Sequence, residues 1–167
     1  GAGSLPKFCA KVLRMQTVAA EINPKVLVAC RGWFKLPPDN ARMQVVLADA
    51  EQEIADPKWW GSVDALQVDL YDHDAAAPVL DSQAFYAACR RLLTDDGCMT
   101  VNLFGRSSSY TRSVERMAAA FGAEALWPFK STREGNTVVL AQKTPSRPQR
   151  GVWAARADMI DRQWGLP

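Results

Sequence analysis

Three apolar segments of strand length each close on an acid, and helical segments separate them. Val18-Ala19-Ala20-Glu21-Ile22 carries Glu21, Met43 to Ala48 is followed by Asp49, and Asp64 to Asp72 closes on Asp69 and Asp72. Between the first two, Asn23-Pro24 opens a helix, because Asn caps a helix start and Pro suits its first turn. That helix carries Val26, Leu27, Cys30 and Phe34 as its apolar face and stops before Pro37-Pro38. Strands alternating with helices predict an α/β fold, Rossmann-like and doubly wound, whose mostly parallel sheet has helices on both faces.

The rest of the chain extends the pattern. Ser82 to Leu93 has helical spacing, with Phe85, Cys89, Leu92 and Leu93 on one face, and Thr94-Asp95-Asp96-Gly97 reads as the turn after it. Cys98 to Phe104 is a strand, and Tyr110 to Phe121 a helix closed by Gly122. Ala123 to Phe129 and Thr137 to Lys143 are two more strands. The polar connection from Lys130 to Asn136 is too short for a crossover helix, so this C-terminal pair is antiparallel. Pro145 to Arg150 reads as a solvated linker, and Val152 to Trp164 as a terminal helix with Trp153 and Trp164 on one face. The 167 residues suit a single unit. The expected organisation is therefore a cofactor-binding domain over residues 1–144, and over 145–167 a linker and a helix packed on it.

Composition removes several classes of function. No apolar run reaches the ~20 residues that span a bilayer, and no signal peptide is visible, so no membrane partner is expected. Cys9, Cys30, Cys89 and Cys98 lack metal-ligand spacing and lie in apolar or amphipathic segments. They read as small core residues in a reducing, cytoplasmic setting, with no metal site. His73 is the only histidine, which excludes any mechanism needing two. A net charge of +2 is too small to argue for nucleic acid.

Ligands of open parallel sheets bind beyond the carboxyl ends of the strands, where Glu21, Asp49, Asp69 and Asp72 fall. The plainer alternative for Asp49 is to cap a helix start, and for Asp69 and Asp72 to form a hydrogen-bonded turn. Upstream, Gly1-Ala2-Gly3-Ser4-Leu5 opens an amphipathic stretch, the partial form of a nucleotide-binding turn, although a cloning remnant would look the same. Glu21 stands eighteen residues after Gly3. An acid at about 20 residues' distance can accept from both ribose hydroxyls. Trp59-Trp60 reads as a pair packing a loop against the sheet.

In these pieces the sequence resembles the spermidine synthase family of aminopropyltransferases, within the adenosylmethionine-dependent methyltransferase fold. The matching pieces are Gly1 to Leu5, Val18 to Pro24, Phe34 to Pro37, Leu47 to Ala50 and Val68 to Asp72. Phe85-Tyr86, Leu92-Leu93 through Gly97, Val101 to Phe104 and the terminal Arg156-Ala157 add to them. The resemblance implies that Gly1 and Gly3 line the turn beside the cofactor's methionine-derived part. It implies that Glu21 holds the ribose, Ile22 lies against the adenine, and Asp49 and Ala50 meet the adenine edge. Asp69 and Asp72 would be the catalytic acids beside the sulfonium and the incoming amine. Asp72 would also bind that amine, and Tyr71 either lines the substrate pocket or packs.

The implied co-substrate is decarboxylated S-adenosylmethionine or S-adenosylmethionine, without a metal, and the implied partner a small-molecule amine, with a homodimer as the assembly. Two departures stand out. The family's usual Asp-Ser-Ser-Asp-Pro is Asp69-Leu70-Tyr71-Asp72-His73 here, which puts putrescine as acceptor in question. The family's N-terminal β-rich domain and first sheet strand have no counterpart ahead of Gly1. That strand normally lies between the Glu21 and Asp69 strands, so a fragment, or another segment filling the gap, is expected. Three activities follow: aminopropyl transfer; methyl transfer, for which Lys7 is the cation near the glycines that could meet the intact cofactor's carboxylate; or a non-catalytic domain of this fold.

Overall fold

The computed structural model describes residues 2–70, 82–104 and 108–165. They form two compact units, Gly1–Glu53 with Pro148–Pro167, and Ile54–Arg147.

The first unit contains α1 (Ser4–Lys11), β1 (Thr17–Glu21), α2 (Pro24–Gly32), β2 (Met43–Leu47), the start of α3 (Ala50–Ala55), and α6 (Arg150–Trp164). Strands β1 and β2 are parallel, paired from Thr17↔Met43 to Glu21↔Leu47. The start of α2 is as the sequence implies: the Asn23 side chain accepts from the Lys25 N–H at 2.9 Å, and Pro24 takes the first turn. Asn40 prepares β2, its Oδ1 accepting the N–H groups of Arg42 and Met43. Ala10, Cys30, Leu36 and Met43 form the core, with Val26, Leu27 and Val45 against it.

Phe34 is not on the buried face of α2. The helix ends at Gly32, and Lys35 takes a left-handed φ of 53°. The Leu36 N–H then returns to the Cys30 carbonyl, so Leu36 enters the core while Phe34 stays 50% exposed. Helix α6 forms as expected but has no buried residue, with Trp153 45% exposed and Trp164 half-buried.

The second unit holds β3 (Val63–Val68), α4 (Gln83–Leu92), β4 (Leu93–Phe104), α5 (Ser108–Phe121), β5 (Leu126–Pro128) and β6 (Asn136–Gln142). The sheet order is β3-β4-β6-β5, with β3 and β4 parallel and the remaining pairs antiparallel. The mixed α/β architecture and the antiparallel C-terminal pair are those read from the sequence. Among the described residues β1 pairs only with β2 and β3 only with β4, so each keeps one edge without a strand neighbour.

Strand β4 alternates cleanly. Met99, Val101 and Leu103 are buried on one face, with Val68, Val139 and Ala141 beside them and Phe85, Tyr86, Cys89 and Met117 packed over them. Each such side chain contributes roughly 1.5–3 kcal/mol through burial. The other face presents Gln67, Thr100 and Asn102.

Two local readings change. Thr94–Gly97 is not a free turn, because β4 begins already at Leu93. Pairing steps from Val63↔Leu93 to Ala65↔Cys98, so the four residues bulge out opposite Asp64, and Thr94 Oγ1 bonds Asp64 Oδ1 at 3.0 Å. A side chain at Gly97 would put a Cβ 2.8 Å from the Val63 carbonyl oxygen, which only glycine avoids. The strand expected from Ala123 shrinks to three residues, because Gly122 at φ 93° leads into a 3₁₀ turn over Ala123–Ala125.

Arg147 is not simply solvated. Its guanidinium lies 4.3 Å from the Trp127 ring centroid and donates to the Glu124 carbonyl. Trp59 packs against the core of this unit, and Trp60 stays 47% exposed under the Arg91 guanidinium. No helix among the described residues is long and apolar enough to cross a membrane.

Candidate functional site

The first unit carries most of the cofactor candidates. α1 packs against β1 and β2. Gly3 is the N-cap of α1 with φ 67°, and a Cβ there would lie 2.9 Å from Leu36 Cδ1. Glycine therefore serves both the left-handed backbone and the close approach of Leu36. There is no acid in the first turn of α1, so its N–H groups meet no like-element carboxylate. Lys7 Nζ donates to the Phe34 carbonyl at 2.6 Å, which ties the ammonium to a backbone oxygen.

Glu21 ends β1 and Asp49 follows β2 by two residues. The in-register pair Glu21↔Leu47 therefore brings both acids to neighbouring carboxyl ends of one parallel sheet. Each carboxylate is oriented by its own backbone. Glu21 Oε1 accepts the Asn23 N–H at 2.9 Å, and Asp49 Oδ1 accepts the Glu51 N–H at 2.8 Å. The bond at Asp49 is a helix cap, the plainer of its two readings, at the start of α3, where Ala50 is the first residue. Ile22, just past Glu21, is 65% exposed.

Asp69 lies in the second unit, just past the end of β3 and exposed. Its Oδ1 accepts the Asn102 side-chain N–H at 3.0 Å. Gly1, Tyr71 and Asp72 lie outside the described residues. Asn102 is the neighbour that reading the sequence missed. The available signal was a polar amide between Val101 and Leu103 in a strand that favours β-branched and aromatic residues.

Of the four cysteines read as core residues, Cys30 and Cys89 lie in the core, while Cys9 and Cys98 are only part-buried. All four are free thiols, and Cys30 and Cys89 are buried. Burial pushes the Cys89 thiol up to about 12 and raises Cys98 and Cys9 as well. Among the described residues no group of three or more histidine, cysteine or acidic side chains is placed to hold a metal.

No family model matches the chain. Curated relatives do. The polyamine aminopropyltransferase of Chromobacterium violaceum is 29% identical over 99% of this chain, and that of Neisseria meningitidis serogroup A is 27% identical over the same share. The chain spans 63% of the length of each. Among solved structures, human methyltransferase-like protein 13 in complex with SAH covers the whole chain with a TM-score of 0.86 at 23% identity, matching over 79% of its own length. A probable spermidine synthase from Corynebacterium glutamicum covers 98% with a TM-score of 0.77 at 17% identity, over 59% of its length. The likeness read from the sequence therefore holds over nearly the whole chain, and the fold is that shared by spermidine synthases and an adenosylmethionine-type methyltransferase.

Proposed function

From its kinship with the polyamine aminopropyltransferases, we propose that this chain is the adenosyl-binding part of a spermidine synthase-like transferase. It moves an aminopropyl group from decarboxylated S-adenosylmethionine to a small-molecule amine. The observation that carries this reading is the 27–29% identity to polyamine aminopropyltransferases over 99% of the chain. The placement of Glu21 and Asp49 at adjacent strand ends supports it, because an adenosyl group needs acceptors for its ribose hydroxyls and its adenine edge.

In this reading Gly1 and Gly3 leave room for the methionine-derived part. Glu21 accepts from the ribose hydroxyls, Ile22 covers one adenine face, and Asp49 with Ala50 meets the adenine edge. Asp69 and Asp72 attract and orient the cationic amine, and Tyr71 borders it. The amine gives its proton to Asp69. Its lone pair then forms the new C–N bond at the propyl carbon, the C–S bond breaks, and its electron pair returns to sulfur. The sulfonium thereby becomes the neutral thioether methylthioadenosine. Alignment of amine and carbon supplies most of the acceleration, and proton acceptance about 10²–10⁴-fold. No step requires a metal. A cytoplasmic homodimer belongs to the same proposal and is read by sedimentation and fractionation.

Methyl transfer from intact S-adenosylmethionine is the competing chemistry. It needs a partner for the cofactor's carboxylate, and Lys7 is turned to the Phe34 carbonyl. The test is to incubate the full-length protein with decarboxylated S-adenosylmethionine and a panel of amines, with methylthioadenosine followed by mass spectrometry. Formation of methylthioadenosine with an aminopropylated amine is expected, and Asp69→Asn should keep donor binding while losing turnover. Methylated product from the intact donor, with none from the decarboxylated one, would overturn the proposal.

A further inference from the structure

Asp69 is held from the side by a residue outside the acid motif. Strands β3 and β4 are parallel with Gln67↔Thr100 and Val68↔Val101 in register, which carries Asp69 alongside Asn102. On the inner face Val68, Val101 and Leu103 are buried. On the other face Thr100 Oγ1 lies 3.1 Å from Gln67 Oε1, and Asn102 Nδ2 lies 3.0 Å from Asp69 Oδ1. These form a short ladder in which β4 donates and β3 accepts. A carboxylate only accepts, so the NH₂ end of the Asn102 amide must face Asp69. Asn is disfavoured inside strands relative to β-branched residues. The amide here reaches across the strand pair to Asp69.

We propose that Asn102 is a positioning residue for Asp69: it pins Oδ1, fixes the carboxylate's orientation at the end of β3, and leaves Oδ2 to take the proton of the incoming amine. The inference rests on the transferase reading above. An exposed aspartate without such a tether samples several rotamers, and each unproductive one lowers the fraction of bound amine that is aligned.

The experiment uses the full-length protein and three variants, with kcat, KM and donor affinity measured separately. Asn102→Leu removes the donor at similar size, and kcat is expected to fall on the order of 10²-fold, the cost of a displacement near 1 Å. Donor affinity, measured by calorimetry, should stay at the wild-type value. Asn102→Asp keeps the shape but loses the donor and sets a like charge against Asp69, so it should fall at least as far. Asn102→Gln keeps the amide and should recover part of kcat. Melting curves of the near-isosteric Asp variant and of the Gln variant control for folding.

A Leu variant with wild-type kcat overturns the inference, as does loss of kcat and donor affinity in equal proportion, which marks a merely structural role. Failure of the underlying reading looks different: the wild type then forms no methylthioadenosine with any amine. A wild type that turns over neither donor overturns both. One that methylates leaves the Asn102 role to be read from the same kcat split.

Discussion

Replacing Glu21 gives a graded test of the proposed adenosyl site. Its Oε1 already accepts the Asn23 N–H at 2.9 Å, which fixes the side chain ahead of the α2 cap. A carboxylate has about four acceptor positions, and in the proposed site a ribose diol would use two of them. Charge-assisted hydrogen bonds are worth about 1.5–3 kcal/mol each, so losing two costs at least about 3 kcal/mol, or a Kd on the order of 10²-fold weaker. Glu21→Ala should show that loss. Glu21→Gln keeps one carbonyl oxygen and loses the charge, and should weaken binding about tenfold, the equivalent of one such bond. The structural cost is small by comparison: the lost Asn23 contact is exposed and worth roughly 0.5–1.5 kcal/mol. Calorimetric titration of both variants with adenosyl ligand, beside melting curves, measures the two effects apart. Unchanged affinity in Glu21→Ala with an intact fold would refute the ribose assignment.

Other substitutions test the frame around the site. Gly3→Ala forces a left-handed residue to carry a Cβ 2.9 Å from Leu36 Cδ1 and should destabilise by about 1–2 kcal/mol, read as a lower denaturation midpoint. An unchanged midpoint would show that the turn relaxes. Cys89 has its thiol pushed from 9.0 up to about 12 by burial, so its contribution is fully present below pH 9 and lost as pH rises toward 12. Wild-type stability should therefore drop by a few kcal/mol over that window, about 1.4 per pKa unit, and Cys89→Ala should flatten the drop. Parallel curves would contradict the assignment. Arg147→Ala removes the guanidinium 4.3 Å from Trp127 and should cost about 0.5–1 kcal/mol, with increased proteolysis between Pro145 and Arg150 as the readout. Unaltered proteolysis would show that the stack does not hold the linker.

Periodicity made the elements legible. Asn23-Pro24 announced α2, the run from Cys98 to Phe104 announced a strand, and the short Lys130–Asn136 connection announced the antiparallel pair. What the sequence hid depended on backbone geometry that spacing does not encode. The left-handed Lys35 exchanges Phe34 for Leu36 in the core, and the bulge from Thr94 to Gly97 replaces a turn with strand. At the site, Glu21 and Asp49 were legible because an acid after an apolar run is a local signal. Their adjacency required the register of β1 and β2. Asn102 was illegible because its partner is thirty-three positions away and is brought close only by pairing of β3 with β4.

The central claim is that the chain binds an adenosyl sulfonium and that the decarboxylated form is the one it uses. Calorimetric titration of the full-length protein with decarboxylated S-adenosylmethionine, S-adenosylmethionine and methylthioadenosine measures this directly. The account predicts tight binding of the decarboxylated donor and of methylthioadenosine, with the intact donor weaker. Preference for the intact donor would point to methyl transfer, and no binding of any of the three would contradict both transferase readings.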